Sequence, residues 1–213
     1  GEALAFLDVA RIGPDWLPGH AHADTLSFEL SLGRQRIIVN SGTSQYGGGP
    51  ERLRQRSTSA HSTVEVDDEN SSEVWGGFRV ARRAHPRDLS IVEEAGTVRV
   101  TCAHDGYTRL RRPVVHQRSW RFECRSVAVT DVLLGEYGRA VGRFHIHPDV
   151  QVTADGAEGA LVLEGGRRVR WQVAGARARV VPSTWHPQFG KSIPSHSLEV
   201  VHSGPQCEVS FAW

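Results

Sequence analysis

Apolar and polar residues alternate along most of this chain. The clearest run sets Leu26, Phe28, Leu30 and Leu32 between Thr25, Ser27, Glu29 and Ser31. A period of two sends alternate side chains to opposite faces, so this segment predicts a half-buried strand. Gly33-Arg34 then turns the chain into Arg36-Ile37-Ile38-Val39-Asn40, which makes the pair a hairpin. A shorter apolar run, 3–10, stops at Gly13-Pro14.

From His61 onward short runs recur at 62–66, 78–84, 89–93, 97–103, 114–123, 126–133, 140–146, 151–154, 160–163, 168–173, 178–181, 198–202 and 207–213. Turn pairs such as Asp105-Gly106 and Ala174-Gly175 punctuate them. Many short strands, even turn spacing and no strongly amphipathic helix predict an all-β fold. We expect a large antiparallel β-sandwich of two sheets, with 1–213 as a single domain. No fixed period appears, which argues against a propeller or solenoid. The exception to the strand pattern is 41–60. That stretch holds Gly42, Gly47, Gly48, Gly49 and Pro50, followed by Arg52, Arg54 and Arg56. It reads as a long loop with a short helix over 51–56, and it lacks the lysine of a phosphate-binding loop.

Composition changes this picture little. The 213 residues are 39% hydrophobic and 23% charged, ordinary values for a globular protein. A formal net charge of +1 gives no bulk signal for nucleic acid or a membrane surface. No run approaches the ~18 apolar residues of a membrane-spanning helix. The chain starts at Gly1 and holds no methionine, so it reads as a piece of a longer polypeptide without a visible signal peptide. Cys102, Cys124 and Cys207 each fall in phase with apolar neighbours, which predicts three buried free thiols.

The chemistry concentrates in Gly19-His20-Ala21-His22-Ala23-Asp24. In extended chain, residues i and i+2 share a face, so both imidazoles can serve one site. A neutral imidazole is a metal ligand or a general base, and Asp24 is placed to orient a ring. Packed histidines at the mouth of a sandwich would give the same spacing. Further donors are available from Asn40, at the end of the predicted hairpin, and from His61. Strict alternation puts His22 in phase with Leu26 and Phe28 but His61 out of phase with Val64 and Val66, which argues against a shared face. Arg52, Arg54 and Arg56 are candidates to pair with carboxylates, or are solvated loop arginines. His145-Ile146-His147 repeats the spacing on a strand whose core face is Phe144 and Ile146, so these two histidines are expected at the surface.

Taken together, the segment 19–28 resembles the signature of heparinase II/III-like polysaccharide lyases. The resemblance continues through Val39-Asn40-Ser41-Gly42-Thr43, Tyr46, Arg56-Ser57-Thr58 and Ala60-His61-Ser62-Thr63-Val64. Further on it takes in Phe78-Arg79-Val80, His104-Asp105-Gly106-Tyr107, His116-Gln117-Arg118 and Thr130-Asp131. It implies the C-terminal β-sandwich of an enzyme whose N-terminal domain is an α/α toroid. Such enzymes cleave uronic-acid-containing polysaccharides by β-elimination, in a periplasmic or secreted setting. Residue by residue, the resemblance implies that His20 is the sandwich's histidine in the catalytic cleft. It implies that His22, Asn40 and His61 are ligands of a structural zinc, and that Tyr46 and Arg56 contact the acidic polysaccharide. Asn40 stands where the family usually has aspartate, and a neutral amide is the weaker zinc ligand. The family's catalytic tyrosine and its carboxylate-neutralising residue belong to the toroid, so this segment alone is expected to be inactive. The other class consistent with the sequence is a non-catalytic carbohydrate-binding or exopolysaccharide-assembly module of the same fold.

Overall fold

A computed structural model describes residues 2–213. In chain order the elements are β1 (Ala3–Leu7), β2 (Phe28–Leu32), β3 (Gln35–Val39), helix α1 (Pro50–Arg56), β4 (Val64–Val66), β5 (Val74–Trp75) and β6 (Arg79–Val80). They continue with β7 (Pro86–Glu94), β8 (Thr97–His104), β9 (Val114–Glu123), β10 (Ser126–Gly135), β11 (Ala140–Ile146) and β12 (Gln151–Asp155). The last are β13 (Glu158–Val162), β14 (Arg168–Ala174), β15 (Ala176–Trp185), β16 (Ile193–His202) and β17 (Gln206–Ala212). One large sheet runs β1-β2-β3-β11-β16-β15, with β4 also on β11, and the other runs β12-β13-β14-β17-β10-β9-β8-β7. The all-β, two-sheet expectation holds, with β5 and β6 forming a small separate ribbon.

The alternation explains the core. Phe28, Leu30, Phe144, Ile146, Leu198 and Val200 point inward from the first sheet and meet Trp120, Val129, Trp171, Val209 and Phe211 of the second. Phe144 packs on Phe28 and Phe211 with ring centroids 6.0 and 5.5 Å apart. Each such ring, fully buried, contributes roughly 1.5–3 kcal/mol.

Two features of the fold bring the conspicuous histidines together. First, β11 offers one edge to two strands: β3 pairs with its last residues and β4 with its first. The segment between β3 and β4 therefore leaves that edge and returns to it, which brings Asn40 beside residues 61–63. Ser62 closes the gap, its hydroxyl donating to Val39 O at 2.8 Å and accepting from His145 N–H at 3.1 Å. Second, the predicted strand at 25–32 begins only at Phe28. A turn precedes it, closed by Ser27 N–H on Asp24 O at 2.8 Å, with Leu26 buried at φ 62°. That turn breaks the period of two between His22 and Phe28, so the phase argument separating His22 from His61 does not apply.

Candidate functional site

Residues 19–25 have no strand partner, and their backbone is held instead by the segment 52–63. Arg52 Nη2 donates to Gly19 O at 3.2 Å, and Arg56 Nε to Ala21 O at 3.0 Å. Ala23 N–H donates to Arg56 O at 2.8 Å and accepts in turn, at its own carbonyl, the Thr58 hydroxyl at 2.9 Å. Thr63 holds Thr25 O at 3.0 Å. The odd-numbered residues are thus pinned, which leaves His20, His22 and Asp24 to project elsewhere. The short helix α1 places those two arginines one turn apart on one face.

His20 ends a short 3-10 turn, Pro18–His20, and is exposed. Its Nδ1 lies 3.3 Å from the Tyr46 hydroxyl, with the rings edge to face. Tyr46 is flanked by Phe78 and Phe189, at centroid separations of 5.9 and 5.7 Å, and all three rings are exposed. Phe189 comes from the β15–β16 loop and carried no signal in the sequence. Two glycines seat the Tyr46 loop. Gly42 has φ +78°, and a Cβ there would sit 2.2 Å from His186 O; a Cβ on Gly77 would sit 2.2 Å from Gly47 O.

His22 Nδ1 lies 3.1 Å from His61 Nε2. With Asp24 they form a cluster whose candidate ligand atoms are all within 4.8 Å of one another. Asn40, the third expected ligand, is hydrogen-bonded at both ends of its amide. Its Oδ1 accepts Ser62 N–H at 3.0 Å and its Nδ2 faces Ser27, so the amide closes the junction between β3 and the returning chain. Asp24 offers a carboxylate to the same cluster. The donor types fit a divalent metal. Two tetrahedral zinc ligands at about 2.0–2.1 Å sit about 3.3 Å apart, close to the separation of the two nitrogens.

The electrostatics of this pair are unusual. Burial, then the Arg52 and Arg56 cations, push His22 down to about 4. Burial, with His22 and His145 nearby, holds His61 well below the ordinary histidine range. Burial and the neighbouring Asp8 raise Asp24 to about 8. Both rings are therefore neutral at pH 7, as ligation or hydrogen bonding requires.

Arg56 differs from its expected place on the substrate side. It is fully buried, with its guanidinium on the carbonyls of Ala21, Gly76 and Arg79. Its geometry is that of a clamp under the His20–His22 loop. Arg52 is buried too, and neither is the solvated loop arginine that composition allowed. Both find their acceptors among the carbonyls of residues 19–21 and 76–79. Two further readings are corrected. His145 is buried, because α1 and the turn after it cover the outer face of the sheet, and its Nε2–H donates to Ser59 O at 3.0 Å. Cys124 is exposed at the β9–β10 turn, while Cys102 and Cys207 are buried as expected.

Below the site lies a network that the sequence did not single out as chemistry. Arg118 on β9 donates from Nη1 to Leu26 O at 2.9 Å and Ser62 O at 2.7 Å, and its remaining donors hold Asp131. It therefore joins the eight-stranded sheet to the backbone under His22 and His61.

Known proteins share this architecture. The family model described as heparinase II/III-like, C-terminal, matches residues 1–213. The fold superposes on heparan sulfate lyase HepC from Pedobacter heparinus with a TM-score of 0.80 at 17% identity, over 99% of this chain and 33% of that one. A heparinase III solved with methylated lysines gives 0.76 at 16% identity, covering 99% and 32%. In sequence, the chain is 25% identical over 195 residues to FtsZ-localized protein C of Caulobacter vibrioides, covering 80% of this chain and 32% of that protein. The chain thus spans about a third of the length of the proteins it matches.

Proposed function

The chain belongs to the heparinase II/III-like family as its C-terminal domain, and on that premise we propose that it is the β-sandwich half of a lyase cleaving uronic-acid-containing polysaccharide by β-elimination. One observation carries this reading. His20 is exposed on a loop braced by two buried arginines, with the Tyr46 hydroxyl 3.3 Å from its Nδ1. With the Tyr46 hydroxyl as the donor, Nδ1 accepts and the imidazole proton sits on Nε2, directed away as a hydrogen-bond donor. Elimination removes the C5 proton of the uronate, places negative charge on its carboxylate, and expels the 4-O-glycosidic oxygen. A donor fixed beside that carboxylate stabilises the developing charge.

The proton-transferring tyrosine and a second carboxylate-neutralising group would come from an N-terminal toroid of the same protein. Tyr46, with Phe78 and Phe189, supplies apolar faces for sugar rings. His22, His61 and Asp24 would hold a structural zinc, which when bound would link residues 22–24 to the chain returning into β4. No step of the elimination passes through that ion. A periplasmic or secreted setting accompanies this reading, and no helix among the described residues is long and apolar enough to cross a membrane.

The test is release of unsaturated uronate product from acidic polysaccharides by the full-length protein, compared with its His20→Ala variant and with this domain alone. Turnover by the full-length protein alone supports the proposal, while equal turnover by His20→Ala overturns it. A second reading is a non-catalytic module of the same fold. The observation favouring it is the 25% identity to a relative named for localisation to FtsZ. Absence of turnover on every uronate polymer tried, with carbohydrate binding retained, would select it.

A further inference from the structure

We infer that Arg52 sets the metal affinity of the His22–His61–Asp24 cluster, by holding His22 in the hydrogen-bonding form that cannot ligate a metal. This rests on the proposed metal role of the cluster and says what controls it. Arg52 Nη1 lies 3.3 Å from His22 Nε2. A guanidinium has no acceptor, so the ring nitrogen facing it must accept. A neutral imidazole has one lone pair for such contacts, and its proton therefore sits on Nδ1. That nitrogen faces His61 Nε2 at 3.1 Å, so His22 donates and His61 accepts. The direction is fixed from Arg52 through His22 to His61, whose remaining proton is on Nδ1, a buried atom with no partner among the described residues.

A metal lying between the two rings needs the lone pairs of both His22 Nδ1 and His61 Nε2. The proton of His22 must then move to Nε2, where it meets the Arg52 N–H, donor against donor. The Arg52 contact and metal ligation through His22 Nδ1 therefore exclude one another.

Nor is Arg52 free to withdraw. Its Nη2 holds Gly19 O, its Nη1 also reaches the Thr43 hydroxyl at 3.4 Å, and its Nε donates to Gly77 O at 3.4 Å. The guanidinium carbon stands 4.9 Å from the Tyr46 ring centroid. Displacing it loosens the loops that carry His20 and Tyr46, so metal occupancy and the geometry of the exposed site are linked through one side chain.

The experiment titrates the chain with zinc against a chromophoric chelator, using cobalt absorption to report the ligand field. Arg52→Gln removes both the charge and the fork, and is expected to bind zinc about 10-fold more tightly than wild type, the scale of a lost outer contact. Arg52→Lys keeps the charge and should stay weak. Equal zinc affinity in wild type and Arg52→Gln overturns the inference but leaves the metal reading standing. No binding by either overturns both. A measurement on the unmutated chain guards against a variant that fails to fold. Nitrogen-15 spectra of the metal-free chain should place the His22 proton on Nδ1, and a proton on Nε2 overturns the inference directly.

Discussion

Arg118 forks onto Asp131, Nε to Oδ1 at 2.7 Å and Nη2 to Oδ2 at 2.9 Å, with neither side chain more than 1% exposed. The pair is the end of a directed chain. Gly106 N–H donates to His104 Nδ1, so His104 Nε2–H donates to His116 Nδ1 at 3.1 Å, and His116 Nε2–H donates to Asp131 Oδ1 at 2.7 Å. Arg118 and His116 together hold the Asp131 carboxyl far below the usual carboxylate range against the opposing effect of burial. Replacing Arg118 by Met leaves that carboxylate buried without its cation and strips Leu26 O and Ser62 O of a donor. The expected loss is about 3–5 kcal/mol, read from the denaturant midpoint. A loss under about 1 kcal/mol would mean that water reaches and satisfies the carboxylate.

Histidine burial predicts the acid side of the stability profile. His22 and His145 are lowered to about 4, and His61, His104 and His116 are also lowered, with burial the largest cause in each. The unfolded chain takes up these protons below about pH 6.5 while the folded chain refuses them. Stability is therefore fully present above that pH and falls as pH drops from about 6.5 towards 4, by up to about 1.4 kcal/mol per unit for each histidine. Asp24, raised to about 8, has the opposite sign: the folded state holds a proton that the unfolded state has lost, so stability falls as pH rises from about 4 to 8. His147 and His202 are lowered too, so the histidines outweigh the raised Asp24 and Asp8 on the acid side, and Asp24 acts on up to about pH 8. Melting temperatures of the chelator-treated chain should peak near pH 6.5, and Asp24→Asn should flatten the alkaline limb and steepen the acid one. A melting temperature unchanged from pH 4.5 to 6.5 would contradict the histidine assignment.

Much of the fold was legible because alternation, glycine turns and strand length all agreed, as they do from Phe28 through Val39. The site was legible only in part. Leucine gives no turn signal, so the reversal at Leu26 was hidden, and with it the meeting of His22 and His61. Alternation names the face a side chain takes but not whether something covers that face, which is why His145 looked exposed. Arg52 and Arg56 read as carboxylate-binding or solvated loop arginines because a sequence does not display the carbonyls of residues 19–21 and 76–79 that receive them. The family resemblance located His20, His22 and His61. It left Asp24 as support for a ring, whereas the fold brings its carboxylate within 4.8 Å of the ligand atoms of both histidines.

Gly77 offers a test of how tightly the Tyr46 loop is seated. An added Cβ would lie 2.2 Å from Gly47 O, a backbone atom that cannot rotate away. Gly77→Ala should push the 47–49 backbone outward and carry Tyr46 from His20, with an overpacking cost of about 1–3 kcal/mol. Crystallographic displacement of the Tyr46 hydroxyl beyond hydrogen-bonding distance of His20 is the expected outcome. An unmoved loop would show that the Gly77 turn yields instead.

The His20–Tyr46 contact predicts separable effects on chemistry and stability. His20 is exposed and makes a single side-chain hydrogen bond, so His20→Ala should leave the melting temperature of the full-length protein unchanged. If its imidazole stabilises the charge that develops on the uronate carboxylate, the same substitution should lower kcat about 10²-fold, as loss of a positioned donor does. Tyr46→Phe keeps the ring between Phe78 and Phe189 and removes only the hydroxyl. The imidazole then samples both tautomers, and kcat should fall by less than in His20→Ala while KM stays near wild type. An increase in KM alone would assign Tyr46 to sugar binding and free His20 from its influence. Turnover by His20→Ala within twofold of wild type would remove His20 from the chemistry and leave the sandwich a purely binding role.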